Sequence, residues 1–209
     1  GHGDDEIFTD AQAIAWFDVR DVVRAPARLD WRKLAHVNNH YIRRAGNVRL
    51  ARLVTPILES RNIDLAADFE RRLIAAIPAV KDGAKTVRDL ADLTLFAIKQ
   101  RPLDLDEKGL ALLTDDTRAL LSRLATSLSS LGDWTTEAVT EALRAFAVAE
   151  GVGLSRFGAA LRATLSGGAS APDLAGALTA LGKAESLGRM DDALSRSRQG
   201  FIRPGETSA

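Results

Sequence analysis

The chain has 209 residues, 46% hydrophobic and 27% charged, and no cysteine, which suffices for one large or two small domains and excludes disulfides, thiolate nucleophiles and thiolate zinc sites together. Its 28 basic and 28 acidic residues cancel, so any attraction for a polyanion must be local rather than global. There is no run of about 18 apolar residues, and the opening Gly-His-Gly-Asp-Asp-Glu is polar and acidic; neither a membrane span nor a signal peptide is expected, and a cytoplasmic location is.

Strand signals are scarce, and apolar spacing near 3.6 residues runs through most of the sequence, so the fold is expected to be all-α. In chain order, Thr9-Asp10-Ala11-Gln12 has the spacing of a capping box, in which a short polar side chain accepts from orphan backbone N–H groups and an acid or amide three residues on reaches back. Ile14 and Phe17 follow on one face. A break at Ala25-Pro26 leads to the helical stretch KLAHVNNHYIRR, Lys33 to Arg44. Thr86-Val87-Arg88-Asp89 fits a cap with the shorter acid and precedes Leu90, Leu93 and Ile98. After the break at Arg101-Pro102, Asp104-Leu105-Asp106-Glu107 predicts a start for Leu110, Leu113, Leu120 and Leu124. Breaks at Leu131-Gly132-Asp133 and Ser166-Gly167-Gly168-Ala169 come next. Ser170-Ala171-Pro172-Asp173 predicts a cap for Leu174, Leu178 and Leu181, and Gly182 reads as the closing glycine, with Lys183 at the negative end of the helix dipole. About nine or ten short helices are expected, with no fixed internal repeat and a fraying tail from Gly200.

Self-contained chemistry is hard to find. His36 and His40 are four apart, as in helical zinc sites, but Val37 stands where the catalytic glutamate would follow, and the third histidine, His2, is remote. No metal ligand set and no catalytic residue is therefore expected. Gly176 to Lys183 superficially suggests a phosphate loop, yet five residues separate its glycines and Ala184 replaces the magnesium-binding hydroxyl. No Gly-x-Ser-x-Gly elbow accompanies the histidines. The informative feature is charge: from Arg20 to Arg52 nine basic residues face two acidic ones, which reads either as a polyanion-binding face or as a solvated helix surface.

Several spaced segments resemble one family. Gly1 to Phe8, Trp16-Phe17-Asp18, Ala25 to Asp30, Lys33-Leu34 and Asn38-Asn39-His40-Tyr41-Ile42 resemble the segment that follows the catalytic part of bacterial glutamyl-tRNA synthetases. Trp134 in GDWTTEAV, Ala160 to Gly167, Ala171-Pro172-Asp173-Leu174 and Leu181-Gly182-Lys183 resemble that family's anticodon-binding end. The resemblance implies a C-terminal piece with its catalytic domain, and that domain's ATP and magnesium, lying before Gly1; no cofactor is implied for the piece itself. It implies the end of a stem-contact region at 1–48 and two helical anticodon-binding subdomains at 49–103 and 104–209.

Further expectations follow from the resemblance. The partner is tRNA(Glu), with tRNA(Gln) a second candidate, and the parent is expected to be monomeric. Arg28, Lys33, Arg43 and Arg44 are expected to contact the inner corner of the tRNA through its phosphates, which position without reading. The family's Lys-Glu-Arg-Ala-Lys-Thr-Leu loop, whose arginine reads the third anticodon base, matches Lys81-Asp82-Gly83-Ala84-Lys85-Thr86-Val87, so Gly83 removes that donor. Lys81, Lys85 or Arg88 is the alternative donor, and weak discrimination against tRNA(Gln) is the consequence if none substitutes. Arg162, Ala171, Pro172 and Leu174 match the second reading site, with Ala160 replacing a turn proline; Leu174 also reads as ordinary core. A stand-alone helical scaffold or protein-interaction module remains the other reading, and salt dependence of binding separates the two.

Overall fold

The computed structural model describes residues 7–22, 28–168 and 171–195, and every regular element among them is helical; an isolated antiparallel bridge joins Leu65 to Lys99. The helices are α1 (Asp10–Trp16), α2 (Trp31–Arg44), α3 (Asn47–Glu59), α4 (Phe69–Val80), α5 (Val87–Ile98), α6 (Glu107–Leu112), α7 (Asp115–Ser129), α8 (Thr136–Ala149), α9 (Ser155–Ser166), α10 (Leu174–Leu181) and α11 (Lys183–Ser195), with 3-10 turns at Val19–Asp21 and Lys81–Gly83. Among the described residues there are eleven α-helices against the nine or ten expected; the run expected from the Asp104–Glu107 start through Leu110, Leu113, Leu120 and Leu124 divides into α6 and α7, because Leu113 closes the first and Thr114 caps the second, accepting from Thr117 N.

Two of the expected caps form as full capping boxes: Thr9 accepts from Gln12 N and Thr86 from Asp89 N, with both reciprocal bonds present. Two others move. Asp106, not Asp104, caps α6, accepting from Gly109 N at 2.7 Å. Asp173 caps α10, accepting from Gly176 N at 2.9 Å; Ser170, the residue expected there, lies outside the described residues, as do His2, the Ala25-Pro26 break and the tail from Gly200. In both cases the cap is the aspartate whose carboxylate accepts from the backbone N–H three residues on. Gly182, at φ 79°, closes α10 by donating to Leu178 O and Thr179 O. Lys183 does more than sit near a dipole: its Nζ donates to Leu131 O at 2.7 Å, tying α11 to the end of α7.

One apolar core runs from Ile42 to Ala193. The α4–α5 hairpin is its centre, with α3 packed on both and α10 lying over α4, while α11 packs against α7 and α9. Leu73, Ile77, Leu90 and Phe96 from the first part and Leu121, Leu124, Phe157, Leu161 and Leu178 from the second are buried together, each contributing about 1.5–3 kcal/mol of transfer free energy. By contrast α1 buries none of its residues, and Ile14, Phe17 and Val19 face solvent.

A cation sits inside this core. Arg189 of α11 is 1% exposed. Its guanidinium donates to Phe96 O and to Leu165 O (2.6 Å), reaches Lys99 O (3.3 Å) and Ala97 O (3.5 Å), and its Nε bonds Glu185 at 2.7 Å. Phe96 and Ala97 belong to the last turn of α5 and Leu165 to the last turn of α9, whose carbonyls have no partner within their own helices. One side chain therefore completes two helix C-termini, the ends at which the dipole favours a cation. Burial pulls Arg189 below its ordinary pKa against the opposing pull of Glu185, but a guanidinium stays protonated in proteins. Glu185 also meets Arg72 of α4 at 2.7 Å, and Arg72 bonds Asp68.

Candidate nucleic-acid interface

The turn at 81–85 is held from two sides. From α2, Asn38 Nδ2 donates to Lys85 O at 2.6 Å, and Asn39 Nδ2 donates to Ala84 O at 2.6 Å and Asp82 O at 3.2 Å. Arg43 Nε adds an ion pair with Asp82 at 3.2 Å. From α5, the Asp89 carboxylate accepts from Lys85 N (3.0 Å) and Thr86 N (2.9 Å). Ala84, fully buried, anchors the turn from beneath. A segment that would otherwise leave carbonyls unpaired is thus fixed in one conformation, while Gly83, Lys85 and Arg88 face outward.

Asn38 and Asn39 are the residues that sequence reasoning missed. A signal for them exists: asparagine competes with its own helix by local hydrogen bonding, so two in a helix interior conflict with propensity and point to a demand from elsewhere in the fold.

The expected corner cations fare differently. Arg28 is exposed just ahead of α2, and Lys33 is exposed within it. Arg43 is partly committed to Asp82, and Arg44 Nη1 lies 3.3 Å from His40 Nε2. Of the remaining basic cluster, Arg20 bonds Asp18 through Nε at 2.9 Å and holds that carboxyl below the usual carboxylate range; Arg32, Arg49 and Arg52 are exposed. Lys81, named as an alternative donor, is half-buried with its Nζ 3.4 Å from Asn47 Oδ1. Lys85 and Arg88 are better placed to meet a ligand.

The second cluster is assembled by Arg162 of α9. Its Nη1 donates to Ala171 O at 3.3 Å and to Pro172 O, buckling the segment before α10 onto the end of α9, where Gly167 (φ 60°) turns the chain. Arg162 is therefore occupied with the backbone of the residues it was expected to assist. Ala171, Pro172 and Leu174 are half-buried, and Ala171 and Leu174 pack on the core. The two clusters share a design: side-chain donors from a preceding helix grip the carbonyls of a turn. Such a frame suits recognition of unpaired bases, which needs a rigid rim of donors and apolar contacts. Among the described residues no three or more His, Asp and Glu converge as a metal site needs, and no helix is long and apolar enough to cross a membrane.

A family model described as an anticodon binding domain matches residues 49–194, which include both turns but not the α2 residues that grip the first. The chain belongs to the anticodon-binding domain family. It is 59% identical over 197 residues to a glutamate–tRNA ligase of Phenylobacterium zucineum and 50% identical over 194 residues to one of Caulobacter vibrioides. These alignments cover 94% and 93% of this chain but 42% and 41% of those proteins, so the chain spans about two fifths of their length. Among solved structures it is similar to a glutamate–tRNA ligase from Elizabethkingia meningosepticum, with a TM-score of 0.67 and 26% identity over 85% of this chain and 35% of that one. In this anticodon-binding domain the all-α fold and the two gripped turns are parts of one helical body.

Proposed function

We propose that this chain is the tRNA-gripping part of a glutamate–tRNA ligase, an enzyme that attaches glutamate to tRNA(Glu) with ATP and magnesium bound in a separate catalytic domain. The observation that carries this reading is the paired architecture of the two turns. Asn38 and Asn39 fix 82–85 and Arg162 fixes 171–172, leaving Gly83, Lys85, Arg88, Pro172 and Leu174 at the rims of one helical body.

In this reading the bases of the anticodon loop meet the rims, while Arg28, Lys33 and Arg44 draw in phosphates. Residues 1–48, 49–103 and 104–209 serve as the stem-contact end and two subdomains. Gly83 has no side chain to donate to a base edge, so tRNA(Gln) is bound nearly as well as tRNA(Glu). The work is done in the cytoplasm by a protein acting as a monomer.

The test is a titration of the chain with tRNA(Glu), tRNA(Gln) and a tRNA of unrelated anticodon between about 50 and 200 mM salt. Binding of the first two, with affinity falling steeply with salt, is expected. Equal binding of all three tRNAs, or affinity indifferent to salt, overturns the proposal.

A further inference from the structure

A groove of about 700 Å³ lies between the first turns of α2 and the gripped turn, lined by Trp31, Arg32, His36, Asn39, Asp82, Gly83 and Lys85, with Ala35 beneath. Three of its features do not belong together in an ordinary protein surface. Trp31 is 73% exposed, although an indole is among the costliest side chains to leave in water. Arg32 and Lys85 stand on opposite elements, one on the helix and one on the turn, so the groove has a cation on each wall. The one carboxylate in the lining, Asp82, is paired with Arg43 at 3.2 Å, which removes most of its repulsion for an anion. The floor is rigid because Asn39 is bonded to Ala84 O and Asp82 O. Gly83 contributes no side chain to fill the groove.

We infer that this groove is a nucleobase subsite: one unpaired base stacks on the Trp31 indole, and the phosphate attached to it sits between Arg32 and Lys85. An exposed indole asks for a flat π-faced partner, and flanking cations ask for a phosphate; a nucleotide in a single-stranded segment supplies both at adjacent positions. A paired base cannot supply the first, because its faces are already covered by its neighbours. The inference rests on the tRNA-binding reading and deepens it by making α2 a contributor to base binding as well as to phosphate contact.

The probe is an RNA hairpin carrying the glutamate anticodon loop, with a fully paired duplex of the same stem as control, each titrated into the full chain and into Trp31→Ala, Trp31→Phe and Arg32→Gln variants. Trp31→Ala is expected to weaken hairpin binding by on the order of tenfold, Trp31→Phe to restore most of it, and Arg32→Gln to weaken it less and to flatten its salt dependence. Binding of the paired duplex is expected to be unmoved by either Trp31 change. Melting curves of the variants should match the unaltered chain, since Trp31 buries little. If the unaltered chain binds the hairpin and Trp31→Ala binds it equally well, or loses hairpin and duplex binding to the same degree, the groove is not a base subsite and the tRNA-binding reading survives. If the unaltered chain ignores the hairpin and whole tRNA(Glu) alike, that reading falls and the subsite with it.

Discussion

Two regions of the molecule solve the same problem with opposite materials. Beneath α11, a buried cation satisfies the carbonyls of Phe96, Leu165 and Lys99; at the surface, the uncharged amides of Asn38 and Asn39 satisfy those of Lys85, Ala84 and Asp82. The buried solution is strong and unforgiving, because removing one partner leaves several polar groups dry. The exposed solution is weak and replaceable by water, which leaves the turn stiff enough to present Gly83 and Lys85 but adds little to global stability. The chain thus separates the residues that hold the fold from the residues that shape its rim.

That separation can be broken at either end. Arg189→Met should have the largest effect, a loss of about 3–5 kcal/mol, read as a lowered urea midpoint; a loss below about 1 kcal/mol would mean that water replaces the guanidinium and that the site is not dry. Next is Gly83→Arg, whose Cβ would make only ordinary contact with Leu93 Cδ1 at 3.8 Å, and which is expected to shift the preference for tRNA(Glu) over tRNA(Gln) by roughly 1–3 kcal/mol while leaving the unfolding free energy within about 0.5 kcal/mol. An unchanged ratio of affinities would take Gly83 out of base reading.

Smaller effects sharpen the contrast. Glu185 feels burial pushing its pKa up, but the Arg72 and Arg189 guanidinium groups overcome this and hold it below the ordinary value of 4.5. A carboxyl depressed in the native state adds stability above its unfolded pKa and loses it as pH falls through its native one. Unfolding free energy should therefore decline as pH drops below about 4.5, and the decline should be shallower in Glu185→Gln. Asn39→Ala should cost only about 1 kcal/mol, yet quicken amide exchange at Lys85 and Thr86 selectively; uniform acceleration across the helices would place Asn39 with the fold rather than with the turn. Least of all, Gly188→Ala must push aside the end of the Arg101 side chain, which lies over Gly188 and pairs with Asp192 at 3.1 Å. This pair is partly buried, and the flexible end of Arg101 can shift, so the substitution should cost about 1 kcal/mol, read as a small drop in the urea midpoint.

What the sequence made legible was mostly periodic. Leu90, Ile98, Leu113, Leu120, Leu124 and Leu178, picked out by spacing near 3.6 residues, fall in the core, whereas Leu110 from the same set is exposed, and the boxes at Thr9 and Thr86 depend on residues three apart. Where two short acids compete within a few positions, as Asp104 and Asp106 do, spacing alone does not choose between them, and the structure gives the cap to Asp106. The candidate site was legible as a set of turns, through the resemblance carried by Lys81 to Val87 and by Ala171 to Leu174. Its supports were not. Asn38 and Lys85 are 47 residues apart, and Arg189 and Phe96 93 apart, and no local pattern records a hydrogen bond across such a span. Arg162 shows the same gap: its position matched the resemblance, but its commitment to Ala171 O and Pro172 O belongs to the folded chain.

Arg189 also bears on the order of events at the ribosome. The helices it completes, α5 and α9, are synthesised some ninety and twenty residues before it, so during translation their final carbonyls must remain solvated until α11 leaves the exit tunnel. A nascent chain halted ahead of that arginine should carry helices whose ends are still wet, and only the arrival of one late guanidinium lets them dry and lock.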